Sequence, residues 1–464
     1  MSDMGYINYD GIECVYSEKD GTIDLIAKND EHNRGLRACC FNRNYMIEYS
    51  RIRGMKCHAY INDASAYING HMELHAKYIF EMLADKPVTH MQIIGDDIDI
   101  FFNPSRFFFS LSQHGTEKVG DIVYSKENAD LWKINYKGTN IEIGLSYGEI
   151  LRDGIRSDLK LHPRLTLSFT STNDWAYLYE LYRLVVKFLQ IVLYKQTHGH
   201  FEVELCSTEN EQLSYSGKLF DYADTPVNPE KELREINYNN YCAYIERLWQ
   251  FAANNYDYDI KHFPDMHLRF TGKDYTPLDL FYIFTAFEYE CETKKEIYNS
   301  PDVSLVSGAR ECVSEILNEL LKCQCATKEE NDFLKNIKES ICRQGTEYGQ
   351  RRKITNAYDI LSNVFTDSIE RILSLHHFEI PKVISRKKIK EIADFLTTTR
   401  GKVAHGSAAN NFSDEEAQFI HFFEILTYSM LLKRAELTDT EVEMIIGAVF
   451  YCNAKMRDRF LFNG

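Results

Sequence analysis

The sequence predicts an α+β protein: a strand-rich first half carrying one long packed helix, followed by an all-helical second half. Three observations predict it. Before about residue 210, short runs of alternating apolar and polar residues are separated by turn residues; one apolar stretch runs from about Asn173 to Gln196; and after about Lys231 the apolar residues recur at helical spacing. The expected domains are therefore 1–230 and 231–464.

In chain order, "MQIIGDDIDIFF", "RFFFSLS", "RLTLSF" and "HFEVELC" are strand candidates, dense in β-branched and aromatic residues. "LWKINYKGTNIEIGLSY" alternates on both sides of Lys137 to Asn140, a hairpin pattern in which Gly138 supplies the turn. The segment "WAYLYELYRLVVKFLQIVLY" resembles a membrane span in length, but Glu180, Arg183, Lys187 and Gln190 trace a polar stripe down one side. A buried helix laid across the sheet is expected instead, with no membrane partner.

The second half offers helices in "PLDLFYIFTAFEYECETKKEIY", "SLVSGARECVSEILNELLKC", "ATKEENDFLKNIKESIC", "AYDILSNVFTDSIERILSL", "SRKKIKEIADFLTTTR" and "SDEEAQFIHFFEILTYSMLLKRA". Leu280, Phe284, Phe287 and Cys291 share a face of the first, with Phe281 and Glu288 close by. In the last, Ser413 and Glu416 form a capping box. Connections are short enough for a bundle.

Composition narrows the function classes. A formal charge of −16 repels polyanions at long range, so any nucleic-acid contact must be local. The opening "MSDMGYINYDGIEC" has early acid and no apolar stretch, and the 12 cysteines are scattered, so reduced thiols in a cytoplasmic protein are expected. Cys323 with Cys325, and His198 with His200 and Cys206, lack the paired spacing of a zinc site. The acidic "GDDIDI" is a further metal candidate, but in a strand Asp97 and Asp99 would face away from Asp96, and an edge or loop explains exposed acids equally well. Neither a metal nor another cofactor is expected.

Arginine followed after four to six residues by histidine is a loose ribonuclease signature, and spacing alone decides nothing. Six such pairs occur against about two expected from composition: Arg51 and Arg53 with His58, Arg156 with His162, Arg371 with His376 and His377, and Arg400 with His405. The first three lie in the strand-rich half. The Arg371 group sits where basic side chains ordinarily complement a helix end.

Arg400 and His405 have different surroundings. They end a helix whose Ile389, Ile392 and Leu396 share a face, and Gly401 and Gly406 are natural exits. An unbroken helix would turn two residues five apart by about 140° from one another. A break near Gly401, or a second subunit, is therefore needed to bring the pair together. From Pro381 to Gly406 the chain carries seven basic residues, including Lys387, Lys388, Lys390 and Lys402, against Glu391 and Asp394. That is either a solvated helix face or the best phosphate-binding patch in an acidic chain.

The segment "TTTRGKVAHG", its preceding amphipathic helix and the upstream "FTAFEYECE" resemble the HEPN domain of ApeA-type abortive-infection proteins. The strand-rich half through "LHPRLTLSFTSTNDWAYLYELYRLVVKFLQ" is similar to their N-terminal region. The resemblance implies a metal-independent RNase serving as a bacterial anti-phage effector, its site formed at a homodimer or higher homo-oligomer interface. It further implies an N-terminal domain that senses a phage-derived trigger.

By that resemblance Arg400 and His405 are catalytic, and Glu288 occupies a polar position that faces the cleft. Lys387, Lys388, Lys390 and Lys402 would meet RNA. One position departs from the family: Gly401 stands where Asn, Asp or His commonly follows the arginine. The chemistry suits the residues, because RNA brings its own 2′-hydroxyl nucleophile. His405 would act as acid or base, and Arg400 would hold phosphate oxygens in the transition state. The alternative is a non-catalytic HEPN-like dimer that binds a protein or small ligand.

Overall fold

The computed structural model describes residues 3–28, 36, 45–51, 54–66, 71–83, 86–102, 130–149, 161–196, 198–209, 212–224, 236, 241–255, 275–298, 307–322, 327–343, 349–365, 386–406 and 412–450. The fold is α+β. By contacts the chain divides into two units, one of residues 1–232 and 236–258, the other of 233–235 and 259–464.

The first unit is an antiparallel sheet of twelve described strands: β1 (Asp3–Tyr9), β2 (Ile12–Lys19), β3 (Thr22–Ala27), β4 (Tyr45–Ser50), β5 (Lys56–Ala66), β6 (His71–Met82), β7 (Val88–Gly95), β8 (Leu131–Tyr136), β9 (Thr139–Glu149), β10 (Leu161–Thr172), β11 (Phe201–Glu209) and β12 (Gln212–Asp221). The spatial order is β1-β2-β3-β6-β12-β11-β7-β10-β9-β8, and β5 joins β4 to the free edge of β6. The expected hairpin forms with Tyr136 opposite Thr139, so Lys137 and Gly138 alone make the turn, both at positive φ (50° and 82°). Asp10–Gly11 and Asp20–Gly21 do the same between β1, β2 and β3.

Helix α1 (Asp96–Phe101) corrects the expectation for "GDDIDI": the segment is neither strand nor exposed loop. Asp97 is buried, receiving Lys195 Nζ at 3.1 Å and the Gly199 amide at 2.8 Å, while Asp96 accepts from the His200 amide. A Cβ at residue 199 would lie 2.7 Å from the Asp96 Cβ, so only glycine permits this approach. Two of the three acids thus staple β7 to the start of β11 across about a hundred residues. Among the described residues no group of three or more His, Cys, Asp and Glu could hold a metal. The candidate strand "RFFFSLS" and the Cys323–Cys325 pair lie outside the described residues.

The long helix is α2 (Trp175–Leu193), capped by Asp174, whose side chain accepts from the Tyr177 amide. Its rings lie on the sheet: Tyr179 stacks on Tyr78 at 4.0 Å, and Trp175 stands 5.2 Å from Phe80. The polar stripe is spent inside this unit. Glu180 accepts from Tyr136 and Lys137, Arg183 pairs with Asp221 and Asp224, Lys187 donates to the Asn255 carbonyl and Gln190 to that of Gln196. No helix among the described residues is long and apolar enough to cross a membrane.

Helix α3 (Ile245–Asn254) belongs to this first unit, although its composition reads like the helical half. Trp249, fully buried, stacks on Phe188 of α2 at 3.5 Å and faces Trp132 of β8. Gln250 also exchanges hydrogen bonds with the backbone of Asn135.

The second unit is helical: α4 (Pro277–Thr293), α5 (Lys295–Tyr298), α6 (Ser307–Lys322), α7 (Lys328–Arg343), α8 (Gln350–Leu361) with a 3₁₀ turn to Phe365, α9 (Arg386–Ala404), α10 (Asp414–Arg434) and α11 (Asp439–Phe450). Helix α10 is its axis, buried along most of its length, with Phe423 set against Phe284 and Phe287 of α4. The Ser413–Glu416 capping box is present. Helices α6 and α7 pair with each other.

Deleting the Trp249 side chain tests whether α3 is part of the sheet unit. Trp249→Ala is expected to cost about 3–5 kcal/mol in urea denaturation, the range for emptying a large aromatic site. A loss under about 1 kcal/mol would mean the Phe188 stack does not hold α3 in place.

Candidate functional site

Helix α4 sets the geometry of the site. It begins with Pro277 behind Thr276, whose side chain and that of Asp279 cap each other's amides. Leu280, Ile283, Phe284, Ala286, Phe287, Glu290 and Cys291 face inward. Glu290, 1% exposed, makes a two-pronged pair with Arg434 of α10: Nε to Oε2 at 2.8 Å and a terminal nitrogen to Oε1 at 2.9 Å. Burial pushes the Glu290 carboxyl up, against the pull of Arg434. Burial likewise pushes the Cys291 thiol up to about 12, which rules it out as a nucleophile near neutral pH.

Glu288, two residues before Glu290, points away from that pair as helical rotation requires. Its Oε1 lies 3.6 Å from a terminal nitrogen of Arg400 on α9, and the two side chains are 34% and 39% exposed. The same oxygen accepts a hydrogen bond from Gln350 at the start of α8. Three helices thus meet at one carboxylate oxygen. Arg400 and Glu288, both expected as site residues, are brought together.

His405 is not brought to them by a break in the helix. Of the two exits expected, Gly401 is not used: α9 runs unbroken through it to Ala404, and the His405 amide still donates to the Gly401 carbonyl at 3.2 Å. The exit is Gly406, at a φ of 67° and bonded to the Val403 carbonyl. Gly401 fails to end the helix because Ile389, Ile392, Ala393, Leu396 and Thr399 already bury one side of α9 and carry its register onward. His405 lies one residue past the end of α9, and in a continued ideal helix its spacing from Arg400 would turn the two side chains about 140° apart. His405 is exposed.

The basic run is less basic in space than in sequence. Lys388 lies 3.0 Å from both Glu391 and Glu415 and sits over the Phe419 ring. Burial lowers its affinity for the proton, but hydrogen bonds to Glu415 and Glu391 prevail and the net shift is upward. Arg386 pairs with Asp359, and Asp394 is taken by Arg351 of α8 at 2.7 Å. Lys387, Lys390 and Lys402 are exposed.

The one other Arg–His pair within the described residues, Arg51 with His58, serves the sheet. Arg51 pairs with Glu18 and Glu81, whereas His58 is buried and stacks on Trp175. Arg53, Arg156 and the Arg371 group lie outside the described residues. Gln350 was not visible as a site residue in the sequence. Its signal is the match between Gln350 and Lys353, three apart on α8, and Glu288 and Glu292, four apart on α4, since Lys353 reaches Glu292 at 3.2 Å. That match appears only once the two helices are known to pack.

No family model matches the chain, and no curated protein or solved structure matches it.

Gly401 carries the next prediction. A Cβ there would meet nothing within 4 Å, and the residue is helical. Gly401→Ala should therefore stabilise the chain by about 0.5–1 kcal/mol, the helix-interior difference between the two residues, as measured by urea denaturation. A loss of stability would show that the glycine meets a constraint absent from this geometry.

Proposed function

We propose that this chain is an ApeA-like HEPN endoribonuclease, an anti-phage effector whose strand-rich unit senses a phage-derived trigger. The observation that carries the ribonuclease part is the Arg400–Glu288 pair on two packed helices, the two residues that the resemblance assigned to one cleft. Glu288 then orients the guanidinium rather than transferring a proton. Arg400 remains partly exposed and able to present its fork to a phosphate.

Helical continuity shapes the mechanism. With Arg400 in α9 and His405 just past its unbroken end, splayed from it by the turn of the helix, a working site takes Arg400 from one copy and His405 from a second, as at a homodimer interface. His405 removes the proton of the RNA 2′-hydroxyl or supplies one to the departing 5′-oxygen, and Arg400 offsets the charge gathering on the phosphorane. The products are a 2′,3′-cyclic phosphate and a 5′-hydroxyl, and DNA is spared. Lys387, Lys390 and Lys402 are the side chains offered to the RNA backbone, with Lys388 engaged by its carboxylates.

The same splay favours a second reading, a non-catalytic HEPN-like dimer, if the two residues never meet. Purified full-length protein incubated with total RNA in EDTA separates them. Cleavage by wild type, falling at least about a hundredfold in His405→Ala and Arg400→Ala, is the expected result, the usual scale for losing an acid–base group or an oxyanion partner. Equal cleavage by both variants would remove these residues from the site. Activity lost in EDTA would point to a metal, and no cleavage even with a phage lysate present would favour the binding protein.

A further inference from the structure

We propose that Gln350 is a positioning residue of the site, keeping Glu288 from closing fully on Arg400. This deepens the ribonuclease reading and rests on it for its kinetic consequences only.

Glu288 Oε1 is the meeting point. Gln350 donates its amide to that oxygen, and a terminal nitrogen of Arg400 stands 3.6 Å from it, beyond hydrogen-bond length. Arginine–carboxylate pairs are frequently two-pronged, as the buried Glu290 and Arg434 are two residues further along the same helix. At Glu288 this does not happen. Arg400 Nε is buried with no hydrogen-bond partner among the described residues, and so is Gln350 Oε1. The guanidinium is thus aimed by Glu288 without being saturated by it.

Gln350 is itself held from both sides. It opens α8, and its neighbours tie that turn to both helices of the site: Arg351 to Asp394 of α9, and Lys353 to Glu292 of α4. The amide therefore reports on α4 and α9 together. A glutamine suits the task because it donates a hydrogen bond without adding charge. A lysine there would neutralise Glu288 outright, and a glutamate would compete for Arg400.

For catalysis the consequence is directional. With the amide gone, Glu288 would draw Arg400 into a tight pair and leave less of its positive charge for the phosphorane. The transition state, which carries the most phosphate charge, would suffer more than ground-state binding.

The test uses full-length protein with ¹⁵N-labelled arginine, the Arg400 Nε–H resonance being assigned with Arg400→Lys. Gln350→Met keeps the side-chain length and removes the amide. Gln350→Met and Glu288→Gln are each expected to shift the Arg400 line, and the double variant should match Glu288→Gln alone, because Gln350 acts through Glu288. With RNA, Gln350→Met should lower kcat about tenfold and change KM by less than about twofold, the scale of one hydrogen bond to a charged group. An Arg400 line unmoved by Gln350→Met, or shifts that add in the double variant, would overturn the proposal. Undiminished cleavage by Arg400→Lys and His405→Ala would instead sink the ribonuclease reading, with the resonance result still deciding the role of Gln350.

Discussion

A buried ion pair sets the rotational phase of helix α4, and everything at the candidate site depends on it. Glu290 and Arg434 are almost wholly removed from solvent, and a charge left alone there would cost several kcal/mol. Rotating α4 by even one residue's step of about 100° would strand both partners. With Glu290 fixed inward on α10, Glu288 must emerge on the other side, toward α9. The aim of the Glu288 carboxylate is thus decided by its neighbour Glu290, and Phe284 and Phe287 pack α4 against α10.

Unit 1 solves the same problem with different materials. Helix α2 is apolar nearly all round, so ring stacking on Tyr78 and Phe80 leaves its axial rotation loosely defined. The stripe of Glu180, Arg183, Lys187 and Gln190 supplies the definition, each side chain finding a partner beyond the helix. In both units apolar surface provides the bulk of the stabilisation, and a few polar pairs select one geometry from those that would bury it.

Legibility followed the range of the interactions. The Lys137–Gly138 turn, the Ser413–Glu416 cap and the polar stripe of α2 are settled within a few residues, and the sequence displays them directly. Asp10–Gly11 and Asp20–Gly21 carry the same kind of turn signal and were equally readable. The "GDDIDI" segment was misread because its alternation suits a strand, whereas Lys195, Gly199 and His200, a hundred residues on, capture Asp96 and Asp97 into a helical turn. Of the two exits the sequence offers, Gly401 and Gly406, local propensity marks both alike, and the helix takes the second because the buried face of α9 outweighs the first glycine. Helix α3 has the periodicity of the second half, yet Phe188 and Trp132 claim its tryptophan. At the candidate site, Arg400 was singled out by its surroundings and Glu288 by the family resemblance alone, whereas Gln350 has as its distinguishing feature a partner 62 residues away on another helix.

The unbroken course of α9 gives the proposed function its sharpest commitment, a site that takes Arg400 from one copy and His405 from a second. Co-expressing the Arg400→Ala and His405→Ala chains under two different tags, and purifying the mixed assembly through both, measures this directly. In the mixed assembly one cleft combines an intact Arg400 with the partner copy's intact His405, so RNA cleavage should return well above that of either variant alone. A mixed assembly as inactive as its two parents, beside an active wild type, would contradict a site shared between chains.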